Sequence, residues 1–214
     1  MLGDSTHPVG NSVRNWIAVA YIWQGCWQDA QEVAQDSARI AENTGALYLL
    51  AVSRSTLGFA RWCANGDLQG IRLLEDAVSW LAARNGEMFS SLHFAWLALA
   101  YAVEGQRARA RTMAAHVLLR ARKGERLGEA IGSRAMALLA LNAGHPEQAR
   151  RWLDRADRAA TVRDSQRERA LNALAQGHVL QHLGEGARAK AAIGEAQAAL
   201  RALGVVLPAR AFIA

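Results

Sequence analysis

The chain has 214 residues, 51% of them hydrophobic, enough to bury a substantial core in one large domain or one repeat array. No run of 18 apolar residues occurs, and the N-terminal segment lacks a basic region followed by an apolar stretch and a small-residue cleavage site, so neither a membrane span nor a secretory leader is expected and the reading is a cytoplasmic protein. The net charge of +6 is unevenly spread: residues 1–100 carry 6 basic and 9 acidic groups and residues 101–214 carry 19 and 10, which places any capacity for anions in the second half.

Prolines stand only at 8, 146 and 208, so almost nothing interrupts helix formation between residues 13 and 203, a stretch rich in alanine, leucine, arginine, glutamate and glutamine. Going along the chain, glycines punctuate the helical runs. Gly25, Gly66, Gly105, Gly144 and Gly184 are 41, 39, 39 and 40 residues apart, each between two apolar helical segments, as in QGCWQDA, NGDLQGI, EGQRARA, AGHPEQA and LGEGARA. They read as tight turns inside helix pairs. A second set, Gly45, Gly86, Gly124 and Gly204, falls about twenty residues later, where a helix needs a left-handed residue to end.

The member of this second set expected near residue 163 is missing; Asp164 stands there, followed by Ser165 with Glu168 three residues on, a capping-box signal for a new helix. Pro146 suits the first turn of a helix in the same way. The pattern predicts five antiparallel pairs at about 13–45, 46–86, 87–124, 127–162 and 165–203, with residues 1–12 as an extension and 204–214 as a tail. That tail, ending VVLPARAFIA, is apolar enough to suggest an excised domain or an end that docks on something.

Superimposing the five turn glycines aligns the pairs. Five residues after each stand Ala30, Ile71, Ala110, Ala149 and Ala189, and four before stand Tyr21, Trp62, Tyr101, Ala140 and Leu180. Small residues let helices approach and large ones fill the space between them. This pattern, clearest in AYAVEGQRARA and GDLQGIRLLEDA, resembles the tetratricopeptide repeat over residues 13–203. It departs from that family in a period near 40 rather than 34, in Phe59 at a normally small position, and in lacking the closing proline. The longer repeat is similar to the solenoid of bacterial ATP-dependent transcription regulators of the LuxR and maltose-regulator type, and to the tails of some cyclase and ATPase modules. The resemblance implies an all-α, right-handed solenoid that senses a signal or docks a protein. With no G-x-x-x-x-G-K-[ST] loop and no recognisable DNA-reading helix-turn-helix, such a chain would be the sensor part alone.

In that family the first helix of every pair lines a concave groove. Carried over position by position, the groove takes Asn15, Trp16, Val19 and Trp23 from the first pair and Thr56 from the second. It takes Trp96 and Leu99 from the third pair, Arg134, Leu138 and Asn142 from the fourth, and His178 and His182 from the fifth. Such a lining, aromatic at one end and polar at the other, suits a protein partner or an amphipathic helical peptide, with an apolar small molecule as the alternative. Each tryptophan has a competing role as core between repeats. The exposed apolar groove would also serve a homodimer.

Catalytic and metal chemistry find little support. His178 and His182 are four apart on one helical face, but without the acidic partner of H-E-x-x-H. Asp154 and Asp157 read as solvated residues beside Arg158, and Cys26 and Cys63 as reduced, packed thiols. The expectation is a non-enzyme with no cofactor and no metal. Nucleic acid ranks third among ligands, because the arginines form no single stripe: Arg107, Arg111 and Arg122 share a face from which Arg109 and Arg120 point away.

Overall fold

The computed structural model describes residues 8–84 and 90–207. The expected turn at Gly86, His7 and the end of the chain from Pro208 lie outside them. The described residues form ten α-helices and no strand. These are α1 (Pro8–Gln24), α2 (Trp27–Asn43), α3 (Leu47–Asn65), α4 (Leu68–Ala83), α5 (Ser90–Val103), α6 (Arg107–Arg122), α7 (Glu129–Leu141), α8 (Pro146–Val162), α9 (Gln166–His182) and α10 (Gly186–Ala202). None is long and apolar enough to cross a membrane. The fold is all-α, with neighbouring helices packed in sequence as in an α-solenoid. Helix α1 is described from Pro8 onward, so part of the expected extension is helical.

The chain divides into two compact units, one built from the residues through His93 and the other from Phe94 through Val206. In the first, α1 packs on α2, α2 on α3 and α3 on α4, and α1 also touches α3. In the second, α6 packs on α7, α7 on α8, α8 on α9 and α9 on α10, with α7 also touching α9. The second helix of a pair has one buried stripe: Ala30, Ala34, Ser37 and Ala41 in α2, and Ala149, Leu153, Ala156 and Ala160 in α8. The first helix is buried more fully, and in α7 every residue except Met136 is inside.

All five turn glycines have positive φ, between 73° and 81° for Gly66, Gly105, Gly144, Gly184 and Gly25, as do Gly45, Gly124 and Gly204. Where the series lacks its glycine, Asp164 takes the left-handed conformation instead, at φ 47°. The next residue, Ser165, caps α9, its hydroxyl accepting from the Glu168 N–H at 3.4 Å. A different use of glycine joins α3 to α4. A Cβ on Gly58 would lie 2.5 Å from the Gly70 carbonyl oxygen, and one on Gly70 equally close to that of Gly58, so the two backbones meet where neither has a side chain.

Candidate binding pocket

The first helices of the first unit enclose a partly open cavity of about 140 Å³. Helix α1 contributes Ser12, Asn15, Trp16 and Val19, α3 contributes Tyr48, Leu49 and Val52, and α5 contributes Leu92 and His93. The lining is mostly apolar. Trp16 is 38% exposed, and its ring lies 6.5 Å from that of Trp23, centroid to centroid. Asn15 and His93 are the buried polar groups of the wall, at 4% and 2% exposure.

Both are held by hydroxyls from the neighbouring first helix. Ser53 Oγ lies 2.9 Å from Asn15 Oδ1, 2.9 Å from Ser37 Oγ and 2.7 Å from the Leu49 carbonyl. Ser37 in turn donates to Asn11 Oδ1 at 2.6 Å, and Asn11 Nδ2 donates to the Ser37 carbonyl at 3.1 Å. The chain Asn11–Ser37–Ser53–Asn15 is neutral throughout, and it ends at the cavity with the Asn15 amide, whose Nδ2 has no hydrogen-bond partner. His93 Nδ1 sits 2.5 Å from Ser55 Oγ. Burial pulls the imidazole down from 6.5 to about 4, so at neutral pH it is uncharged.

Of the residues expected in a groove, Asn15, Trp16 and Val19 come together here, and Trp23 stands beside Trp16. Thr56 is buried, its hydroxyl donating to the Val52 carbonyl at 2.9 Å. Trp96, Leu99 and Leu138 are core residues, 1%, 4% and 5% exposed. The sequence reasoning did not find Tyr48, Leu49, Val52, Leu92 or His93. Tyr48, Leu49 and Leu92 lie early on α3 and α5, a full turn or more before the aligned positions carried over from the family, and the alignment by turn glycines is weakest furthest from the turn.

The second unit treats its polar residues differently. Arg134, 7% exposed, has its Nη1 2.6 Å from Glu168 Oε2 and 2.7 Å from Asn172 Oδ1. Arg167 reaches Glu168 Oε1 at 2.6 Å. Burial alone would raise the Glu168 carboxyl, but Arg134 and Arg167 outweigh it and hold the group below its ordinary value. Glu129 is likewise buried between Arg126 at 3.2 Å and Arg155 at 2.8 Å. Other arginines of this half are also engaged: Arg109 lies 4.2 Å above the Tyr101 ring, and Arg163 donates to the Leu127 carbonyl at 3.0 Å.

Asn142 caps α7 at the surface, where its carbonyl accepts from Arg107 at 3.4 Å. His178 is half-buried, and His182 Nδ1 lies 3.1 Å from the His178 carbonyl oxygen. Desolvation, and then the charge of His182, lower the His178 pKa, partly offset by a hydrogen bond with Gln181. Among the described residues no cluster of three or more His, Cys, Asp or Glu side chains has a geometry for a metal. Asp154 and Asp157 border a polar surface groove with Arg158 and Arg169. Cys26 is half-buried and Cys63 buried. Comparison with known protein families, with curated proteins and with solved structures finds no match.

Proposed function

We propose that this chain is a non-catalytic binding module that takes an apolar side chain of a protein partner into the cavity formed by α1, α3 and α5. The observation that carries this reading is the coincidence of three things on the first helices: an apolar cavity, a tryptophan at its rim, and a rigid wall held by hydrogen bonds between helices. A cavity of about 140 Å³ matches the roughly 150 Å³ that accepts a benzene ring in an engineered protein core, and is well below the 300–1,000 Å³ of pockets that enclose a whole drug-sized ligand. It fits one anchoring side chain of a longer segment, whose remaining contacts would run over the surface.

The assignment to a tetratricopeptide-like repeat is part of the same proposal, supported by the left-handed turn glycines at a period near 40 and by the serial packing of pairs. The engagement of second-unit arginines in ion pairs and ring contacts within the chain favours a protein partner over nucleic acid. The test is calorimetric titration with short peptides carrying a single central Leu, Phe or Tyr, repeated on Trp16→Ala and Val19→Trp. Binding of at least one peptide, weakened at least tenfold by filling the cavity with Val19→Trp in a variant that keeps its helical signal, is the expected outcome. Absence of binding by all of them removes the reading.

A further inference from the structure

Helix α1 brings Asn15 to the cavity wall three residues from Ser12 and four from Val19, one turn of helix either way. Its side chain is 4% exposed, and one end of its amide has no partner. A buried amide left in this state costs about 1–3 kcal/mol. Elsewhere in the first unit the buried polar side chains of this network close on one another: Asn11 on Ser37, Ser37 on Ser53, and Ser55 on His93. Asn15 is also the member of the Asn11–Ser37–Ser53–Asn15 chain that lines the cavity, so its unpaired amide is the polar group of that chain nearest to an occupant. An aliphatic or plain phenyl occupant would leave it unpaired. A hydroxyl-bearing ring would pair with it.

We infer that the cavity selects a tyrosine side chain of the partner segment, the ring lying against Trp16, Val19 and Leu92 and the phenol hydroxyl bonded to the Asn15 amide. The inference rests on the reading of this cavity as a side-chain pocket. A phenol suits the site on two further counts. Its oxygen both donates and accepts, and so answers either orientation of the amide. In the structure Asn15 Oδ1 is towards Ser53 Oγ, which leaves the Nδ2 end for the phenol oxygen to accept from. The wall beside it is also uncharged at neutral pH, since burial keeps His93 neutral, so a neutral hydroxyl is preferred to an ammonium or a carboxylate.

The test compares peptides identical but for one central residue, Tyr or Phe, by calorimetry on the whole chain, with p-cresol and toluene as the matching small probes. The expected result is that Tyr binds about tenfold more tightly than Phe and that p-cresol exceeds toluene in the same sense. Asn15→Leu, of similar size, should abolish the difference by weakening Tyr while leaving Phe equal or stronger; the wild-type comparison stands by itself should that variant fold poorly. Equal affinity for Tyr and Phe overturns the tyrosine assignment and leaves the apolar pocket in place. Binding of p-cresol over toluene with neither peptide bound overturns the peptide source and assigns the site to a free phenol. No binding by any of the four overturns the pocket reading itself.

Discussion

The two units use the same helix pairs and solve the problem of buried polar groups in opposite ways. In the first, the groups shared between first helices are amides, hydroxyls and a neutral imidazole. In the second, Arg134, Glu168 and Asn172 occupy comparable ground, with Glu129 between two further arginines. The residues paired in this way are one repeat apart: Asn15 with Ser53, Ser55 with His93 and Arg134 with Asn172 are each separated by 38 positions. A period near 40 thus does more than place turns, because it sets which side chains of successive first helices face each other. What differs is the cost of error. A neutral chain can lose one member and rearrange, whereas a buried ion pair that loses one partner strands the other.

That contrast is broken most directly by Glu168→Gln, which leaves the buried Arg134 without its counter-charge and is expected to cost about 3–5 kcal/mol in urea unfolding. Ser53→Ala in the first unit, removing a neutral hydroxyl, is expected to cost about 1 kcal/mol. Equal losses for the two would erase the distinction between the units. A second comparison concerns glycines. Gly58→Ala drives a methyl to 2.5 Å from the Gly70 carbonyl oxygen and 2.9 Å from the Leu74 nitrogen, both backbone atoms that cannot turn aside, and should cost about 3 kcal/mol. Gly177→Ala in the second unit meets a side-chain atom first, Ile193 Cγ1 at 2.5 Å, with the nearest backbone atom at 3.2 Å, and should cost less, about 1–3 kcal/mol.

The helix pairs and their turns were legible because glycine, proline and capping residues act locally: a left-handed turn at Gly105 or a Ser165 cap depends on neighbours within a few residues. The Asp164 turn was legible only as a gap in a series, and the structure fills it with an aspartate in the conformation a glycine would have had. The site was half legible. Asn15, Trp16 and Val19 follow from counting back from Gly25, but Tyr48 and Leu49 on α3 and His93 at the start of α5 come to the cavity from other helices, which no spacing within one helix encodes. Trp96 shows the limit of composition as a guide. It looks like the groove tryptophan Trp16, yet it lies in α5, apolar on all sides, and is buried, while Trp16 in α1 is at the surface.

Acid sharpens the comparison with a smaller and pH-dependent effect. His93 has its folded pKa lowered to about 4 from 6.5, so between those values the unfolded chain binds more protons than the folded one and stability falls as pH falls. From pH 7.5 to 4.5 this amounts to about 2–3 kcal/mol at 1.36 kcal/mol per unit. The carboxyl of Glu168 is also lowered, but from 4.5, so its contribution is intact above that value and is lost only as the pH falls further, through its folded pKa. Above pH 4.5 the loss is therefore dominated by His93 of the first unit, with a smaller share from the half-buried His178 of the second, whose pKa is also lowered. His93→Gln, neutral at every pH, should flatten the loss above pH 4.5 and leave the steeper loss below it unchanged; a variant that tracks the wild type over the whole range would show that His93 does not control the upper limb.

The smallest expected effect lies at the turn between α8 and α9. Asp164 at φ 47° carries a strain that glycine would not, and Asp164→Gly removes it. The same change deletes the contact with Arg169 at 2.7 Å, but that pair is exposed, with the Asp164 side chain 90% accessible, so its loss offsets only part of the gain. A net stabilisation of about 0.5 kcal/mol is expected, read as a small rise in melting temperature. A fall instead would mean that the Asp164 carboxylate, through Arg169 on the first turn of α9, does more to hold that helix start than the backbone strain takes away.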